Sequence, residues 1–215
     1  MYIVMGMLAA LYEAQRSGKG DVIDAAITDG SASLMSMFHS MDKLGAWTPE
    51  RGSNMLDGQA PYYDVYETSD GRFVSIGSIE PQFYALLVEK ANLDPEEFAN
   101  PYDKTQWPQM KISLIEIFKT KSQAQWCEVM EGTDVCFAPV LNYREAPAHP
   151  HNVARKTYIE IDGLTQPAPA PRFSRSDCAI PESPSAEGAD THEVLAQWGF
   201  SEQDITALGE EGALS

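Results

Sequence analysis

The opening segment constrains this chain more than any other. MYIVMGMLAALYEAQR is apolar on nearly every side, with Ile3, Val4, Met5, Met7, Leu8 and Leu11 leaving no polar face. A helix of that kind is stable only when other elements cover it all round. Gly18 and Gly20 supply the stop, and DVIDAAI (Asp21–Ile27) then reads as a short buried strand. A buried strand after a buried helix predicts a parallel α/β sheet. One strand cannot form a sheet, so either this is a fragment or a second polypeptide supplies the remaining strands. The opening run has no basic leading residues and no small-residue cleavage site, so it is not read as a signal peptide. It is also too short to span a bilayer.

The remainder reads as an ordinary folded chain. Its 215 residues are 43% hydrophobic, enough for one or two domains with a core, and the 22% charged fraction excludes general disorder. The formal net charge of −17 argues against a nucleic-acid partner, because phosphate backbones require Lys and Arg. A small anionic ligand held by a local basic patch stays open. Cys127, Cys136 and Cys178 form neither a disulfide framework nor a metal-binding spacing, which fits a reducing cytoplasm.

Asp29-Gly30 interrupts the pattern, and residues 31–45 return to helical spacing through Leu34, Met37, Phe38, Met41 and Leu44. Thr48–Pro61 is an irregular connection. Tyr62–Thr68 and Arg72–Ser78 flank Asp70-Gly71 and predict a hairpin. Pro81 is placed to open a helix, two more helices follow near 108–120 and 123–131, and Val135–Leu141 reads as a strand with Cys136 in its core. Residues 62–142 are therefore expected to form a small α+β domain. The proline-rich stretch from Gly163 to Ala189 reads as an extended linker. Two helices are expected after it, capped by Thr191 and Ser201.

Seven segments taken in order carry a resemblance: SGKGDVIDAAITDG (17–30), RGSNMLDGQAPYYDVYETSDG (51–71), GSIEPQFY (77–84), GTDVCFAPVL (132–141), EAPAHPHNVAR (145–155), PAPAPRFSR (167–175) and ADTHEVLAQWGFS (189–201). In this order they resemble the α-methylacyl-CoA racemases, of the family III CoA-transferase (CaiB/BaiF) superfamily, over their C-terminal portion. Gln59 departs from the glycine more usual there. The resemblance implies an α/β fold: the remnant of a Rossmann-like large domain plus a small α+β domain, from the interlocked-dimer architecture. Residues 1–27 would end the large domain and 28–61 would form the crossover helix and linker. Residues 62–149 would be the small domain, 150–188 the return linker, and 189–215 the C-terminal helices packing on the large domain. The implied partners are an acyl-CoA thioester and a second copy of the chain, or a complementary N-terminal segment. No membrane and no nucleic acid are implied. No cofactor is expected beyond the CoA of the substrate, and no metal.

Racemisation next to a thioester needs proton removal from one face, return on the other, and donors aimed at the enolate oxygen. The resemblance implies that a histidine serves one face, and an aspartate with a glutamate partner the other. Glu80 in Gly-Ser-Ile-Glu-Pro matches that glutamate, acting on the cleft of the neighbouring protomer. Its place between a strand end and a helix beginning at Pro81 suits a rigidly aimed side chain, and the helix N-terminus favours a carboxylate. Read without the family, the same residue is an ordinary surface residue of a first helical turn. The histidine and aspartate lie upstream of the matching segments, and His39, His149, His151 and His192 do not sit in the family's histidine motif.

The resemblance makes Tyr62, Tyr63, Asn54 and the methionines Met37, Met41 and Met55 substrate-binding candidates. Tyr63 would line the acyl pocket, whereas Tyr62 reads equally as half of a cross-strand aromatic pair. Asn54 and Asp57 either contact substrate or shape the NMLDG turn, with Asp57 assigned to the turn. The methionine stripe suits either a pocket for varied acyl chains or plain core packing. His149 and His151 are read as structural, for want of a third ligand. Two other functions stay open: a CoA-transferase working through an acyl-aspartyl anhydride, and a non-catalytic truncated subunit. Ile79-Glu80, where formyl-type transferases carry a glycine-rich loop, favours the racemase.

Overall fold

The computed structural model describes residues 1–214. Helix α1 (Tyr2–Ser17) ends at Gly18 in the left-handed conformation. It buries none of its residues, and Leu8 and Leu11 are 62% and 58% exposed. The expectation of a helix covered on all sides is therefore not met within this chain, because no sheet lies against it.

The expected strand at 21–27 is also absent. Residues 19–26 pair with no strand, and helix α2 (Ile27–Leu34) begins at Ile27. The segment folds back on α1 instead. Ile23 sits so close to Gly6 that a Cβ there would approach its methyl to 2.9 Å, a closeness only glycine permits. Tyr2 Oη reaches Ser33 Oγ at 3.0 Å. Asp29-Gly30 lies inside α2 rather than breaking a helix, and the single helix expected over 31–45 is split at Met35 into α2 and α3 (Ser36–Lys43).

The hairpin forms where turn chemistry predicts it. Strands β1 (Tyr63–Glu67) and β2 (Phe73–Gly77) flank Asp70-Gly71, and β3 (Phe137–Val140) joins β2 to give an antiparallel sheet ordered β1-β2-β3. Tyr63 pairs with Gly77, Val65 with Ser75 and Glu67 with Phe73. Across the next ladder, Ser75 pairs with Ala138 and Phe73 with Val140. Side chains alternate between faces, and Tyr66, Val74 and Ile76 point into the core.

Helices α4 (Pro81–Lys90), α5 (Trp107–Phe118) and α6 (Gln123–Met130) supply the rest of that core. Trp107, Met110, Leu114 and Phe118 recur at helical spacing along α5 and are all buried. Phe118 stacks on Tyr66 with ring centroids 5.0 Å apart and meets Trp126 at 5.0 Å. Helix α6 opens on a capping box between Ser122 and Gln125. The buried amide of Gln123 donates to the Phe73 carbonyl at 2.6 Å and the Val140 carbonyl at 3.1 Å, tying α6 to two strands.

By internal contacts the chain divides into Met1–Val140 and Leu141–Ser215. In the second unit, α7 (Pro150–Arg155) precedes strands β4 (Tyr158–Ile161) and β5 (Leu164–Pro167). Strand β5 falls inside the stretch expected to be linker. Asp162 and Gly163, at φ 49° and 78°, make a two-residue turn between the paired Ile161 and Leu164. Residues 168–190 carry no helix or strand. Helices α8 (Thr191–Gln197) and α9 (Glu202–Glu210) close the chain. Ser201 caps α9 in a box with Asp204 as expected, but Thr191 is the first residue of α8 and not its cap. Among the described residues no helix is long and apolar enough to cross a membrane.

Candidate functional site

The strand-to-helix turn after β2 is pinned at successive residues. Gly77 N–H donates to the Cys136 carbonyl at 2.9 Å, and Ser78 N–H to the Tyr62 carbonyl at 3.0 Å. The fully buried Ser78 hydroxyl donates to the Val135 carbonyl at 2.5 Å. Ile79 N–H closes a tight turn onto the Gly77 carbonyl at 2.9 Å, and the Tyr102 hydroxyl donates to the Ile79 carbonyl at 3.0 Å. Glu80 follows as the N-cap of α4. Its extended backbone (φ −74°, ψ 144°) gives the first carbonyl to Tyr84 N–H, while its carboxylate makes no capping bond. The result is an exposed carboxylate on a fixed backbone, with no hydrogen-bond or ion-pair partner among the described residues.

The face of the sheet away from the core is open. Tyr63, Val65, Phe73 and Val140 stand on it at 37%, 49%, 45% and 43% exposure. A cleft of about 680 Å³ lies over this face, floored by Ser75, Gly77 and Ala138, with Tyr63, Cys136 and the loop Leu56–Gly58 at its sides. Clefts of this size are typical of small-molecule sites, and this one sets Tyr63, Val65, Ile76 and Phe137 beside Asp57, Asp64, Ser75 and Cys136. Glu80 follows Gly77 by three residues and is not among the lining residues. Burial, then the charges of Glu80 and Asp134, push the Cys136 thiol up from its ordinary value.

The loop wall is stitched from within. Asp57 accepts backbone N–H bonds from Gly52, Ser53 and Asn54 at 3.0, 3.2 and 2.8 Å, and the Asn54 amide at 2.8 Å. Partial burial raises the Asp57 carboxyl, but the bonds from the Asn54 side chain and the three backbone amides outweigh it and hold its pKa below the usual carboxylate value. Lys111, on α5, donates to the Gly58 carbonyl and pairs with Asp64, anchoring the end of the loop.

Of the residues singled out in the sequence, Tyr63 lines the cleft; Glu80 is not among its lining residues, although its charge acts on the Cys136 thiol that is. Asn54 does not face the cleft. It is 1% exposed, with its oxygen accepting Thr48 N–H and its amide donating to Thr48 and Asp57. Asp57 has the turn-shaping part expected of it. Tyr62 is a core ring, 1% exposed, with Tyr84, Trp107 and Tyr102 edge-on at 5.8, 6.0 and 6.1 Å. Burial, then Tyr102, raises its phenol to about 12, and its hydroxyl has no partner among the described residues. Met55 packs against the core, while Met37 and Met41 lie on α3 away from this cleft, Met37 at 53% exposure. Cys136 is not a core residue. A φ of 58° turns it outward, exposed, into the cleft.

The floor residues Ser75, Gly77 and Ala138 carry no motif of their own, although the alternation in Phe73–Gly77 already places Ser75 and Gly77 on the face opposite Val74 and Ile76. None of the lining residues is a histidine. Among the described residues no group of three or more His, Cys, Asp or Glu side chains is arranged to hold a metal ion.

Three comparisons bear on the site. The model for "CoA-transferase family III" matches residues 1–191. The chain is 43% identical over 211 residues to the α-methylacyl-CoA racemase of Mus musculus, covering 95% of this chain and 54% of the relative. It is 40% identical over 210 residues to that of Homo sapiens, covering 96% and 55%. The chain thus spans about half the length of the curated relatives it matches. Its fold matches the crystal structure of a CaiB/BaiF family protein from Brucella suis at a TM-score of 0.63 and 21% identity, over 91% of this chain and 53% of that one.

Proposed function

The chain belongs to the CoA-transferase family III, and from that membership we propose that it is the C-terminal part of an acyl-CoA racemase, acting on 2-methylacyl-CoA thioesters through an enolate. The observation that carries this reading is Glu80: a carboxylate released from capping its own helix, on a backbone pinned on both sides, whose charge acts on Cys136 in the wall of an open cleft. Likeness to two α-methylacyl-CoA racemases over almost the whole chain supports it.

In the proposed reaction the C–H bond beside the thioester breaks, and its electron pair moves into the enolate. A proton then returns from the opposite face to give the other epimer. Glu80 belongs to the acid–base group on one face. The resemblance assigns the other face to a histidine, and we propose that this group comes from the segment that completes the cleft. Tyr63 lines the acyl side, and the exposed Met37 with the half-buried Met41 offers an apolar surface on α3. A second copy of the chain, or a complementary N-terminal segment, completes the cleft, and residues 1–27 and 189–215 belong to a larger α/β domain with it. The three free cysteines support a reducing, cytoplasmic setting.

The test joins this chain to the N-terminal part of the mouse relative. A single epimer of a 2-methylacyl-CoA is supplied in deuterated water. Appearance of the other epimer carrying deuterium at the α-carbon is the expected result. Transfer of CoA to an added carboxylic acid, without deuterium uptake, would replace the racemase reading with the transferase one. The 215-residue chain alone is expected to show no exchange above background.

A further inference from the structure

Gly77 occupies a position where the fold does not require glycine. Its φ is not in the left-handed region. A Cβ built there would meet the Tyr63 ring at 3.6 and 3.7 Å and the Cys136 carbonyl at 3.9 Å, which are ordinary contacts. It sits in a strand, where glycine is disfavoured for its entropy and its missing side chain. Local physics therefore tolerates an alanine here and gives no reason for glycine. What glycine does provide is space, because Gly77 is part of the floor of the cleft.

Its place along that floor is informative. Gly77 is bonded to Cys136 through its amide and lies three residues before Glu80. In the reading under Proposed function, on which this inference rests, the atom nearest Glu80 is the α-carbon of the thioester. The floor beneath that end of the cleft then faces whatever the α-carbon carries.

We propose that Gly77 is a specificity-determining residue: its absent side chain leaves the room taken by the α-methyl branch of the substrate, beside the Tyr63 ring. Ser75 and Ala138, further along the floor, are also small and keep the path of the acyl chain low against the sheet. The recognised class is an α-branched thioester, discriminated from its unbranched analogue by the volume of one methyl group.

The experiment uses the chimera with the mouse N-terminal part and two probes, the N-acetylcysteamine thioesters of 2-methyldecanoic and decanoic acid, titrated by NMR. The wild-type chimera is expected to bind both, with shift changes at Gly77, Tyr63 and Ala138. Gly77→Ala is expected to weaken the 2-methyl probe by roughly tenfold, the scale of one methyl group in an apolar pocket, and the unbranched probe by less than about threefold. Gly77→Val should weaken both probes further. The unfolding midpoint of Gly77→Ala, followed by tryptophan fluorescence, is expected to hold or rise. Equal weakening of the two probes, or none, overturns the proposal while leaving the acyl-thioester reading intact. A lower midpoint for Gly77→Ala also overturns it, since the fold would then demand the glycine. Failure of the wild-type chimera to bind either probe overturns the acyl-thioester reading itself, and this inference with it.

Discussion

Removing the Asp57 carboxylate should loosen the wall of the cleft by an amount that its donors set. Asp57→Ala deletes four hydrogen bonds. The Gly52 and Ser53 amides belong to exposed and half-buried residues, and they recover water when the carboxylate goes. The two Asn54 donors sit on a residue only 1% exposed and do not. Losing a charged acceptor costs about 1.5–3 kcal/mol per bond when the donor stays buried. With some relaxation of the loop, the total is about 3 kcal/mol. In a chain of this size each kcal/mol moves the midpoint by roughly 2–4 °C, so the variant should melt about 6–12 °C below wild type. Asp57→Asn keeps the shape and loses the charge, and should fall between the two. The buried Trp107 and Trp126 report the unfolding of this unit by fluorescence. The pH dependence has a defined sign. A folded pKa held below the unfolded value of about 3.9 stabilises above that pH, and the stabilisation is lost as pH falls through the folded pKa. The gap between wild type and Asp57→Asn should be full at neutral pH, begin to narrow near about pH 4 and vanish as pH falls through the lower folded pKa. A midpoint change under about 2 °C for Asp57→Ala, or a gap that persists in acid, would refute the reasoning.

Gln123→Leu removes a buried amide that donates to carbonyls of two strands and should cost about 2 kcal/mol in denaturant titration, more than Gln125→Leu at the exposed surface. Gly163→Val forces a β-branched residue into φ 78° and should abolish the β4–β5 cross-strand NOEs while leaving the Trp126 environment unchanged. The exposed apolar surface of α1 predicts concentration-dependent self-association of the chain in sedimentation, reduced by the double change Leu8→Glu and Leu11→Lys. A wild-type chain that stays monodisperse as a monomer would count against that reading of α1.

The small domain was legible because its signals are local. Asp-Gly between two β-branched runs gives the hairpin, Pro81 opens α4, and the spacing of Trp107, Met110, Leu114 and Phe118 gives the buried stripe of α5. Composition misleads where it masks a short signal. The prolines around 167–171 hide Asp162-Gly163, a two-residue turn centred on the same Asp-Gly pair as the first hairpin. A pattern also misleads where it needs partners to take effect. Asp21–Ala26 has strand composition but no neighbouring strand within the chain, so it lies back on Gly6. Glu80 and Tyr63 could be picked out only through the family motif, because an isolated N-cap glutamate carries no distinguishing local pattern. Cys136 escaped because a left-handed φ at a non-glycine residue is set by the tertiary ladder and not by its neighbours in sequence. Asn54 and Tyr62 look like surface polar and cleft groups in sequence. Their burial depends on Asp57 and on the Tyr84–Tyr102–Trp107 cluster, both outside any local window.

The most direct measurement sets the wild-type chimera with the mouse N-terminal part against the same chimera carrying one substitution, Glu80→Gln. Mass spectrometry would follow deuterium entering the α-position of 2-methylacyl-CoA. Loss of at least about a hundredfold in the exchange rate, with thioester affinity retained and no change in the unfolding midpoint, is the predicted outcome. Undiminished exchange in Glu80→Gln would remove this carboxylate from the chemistry and contradict the account.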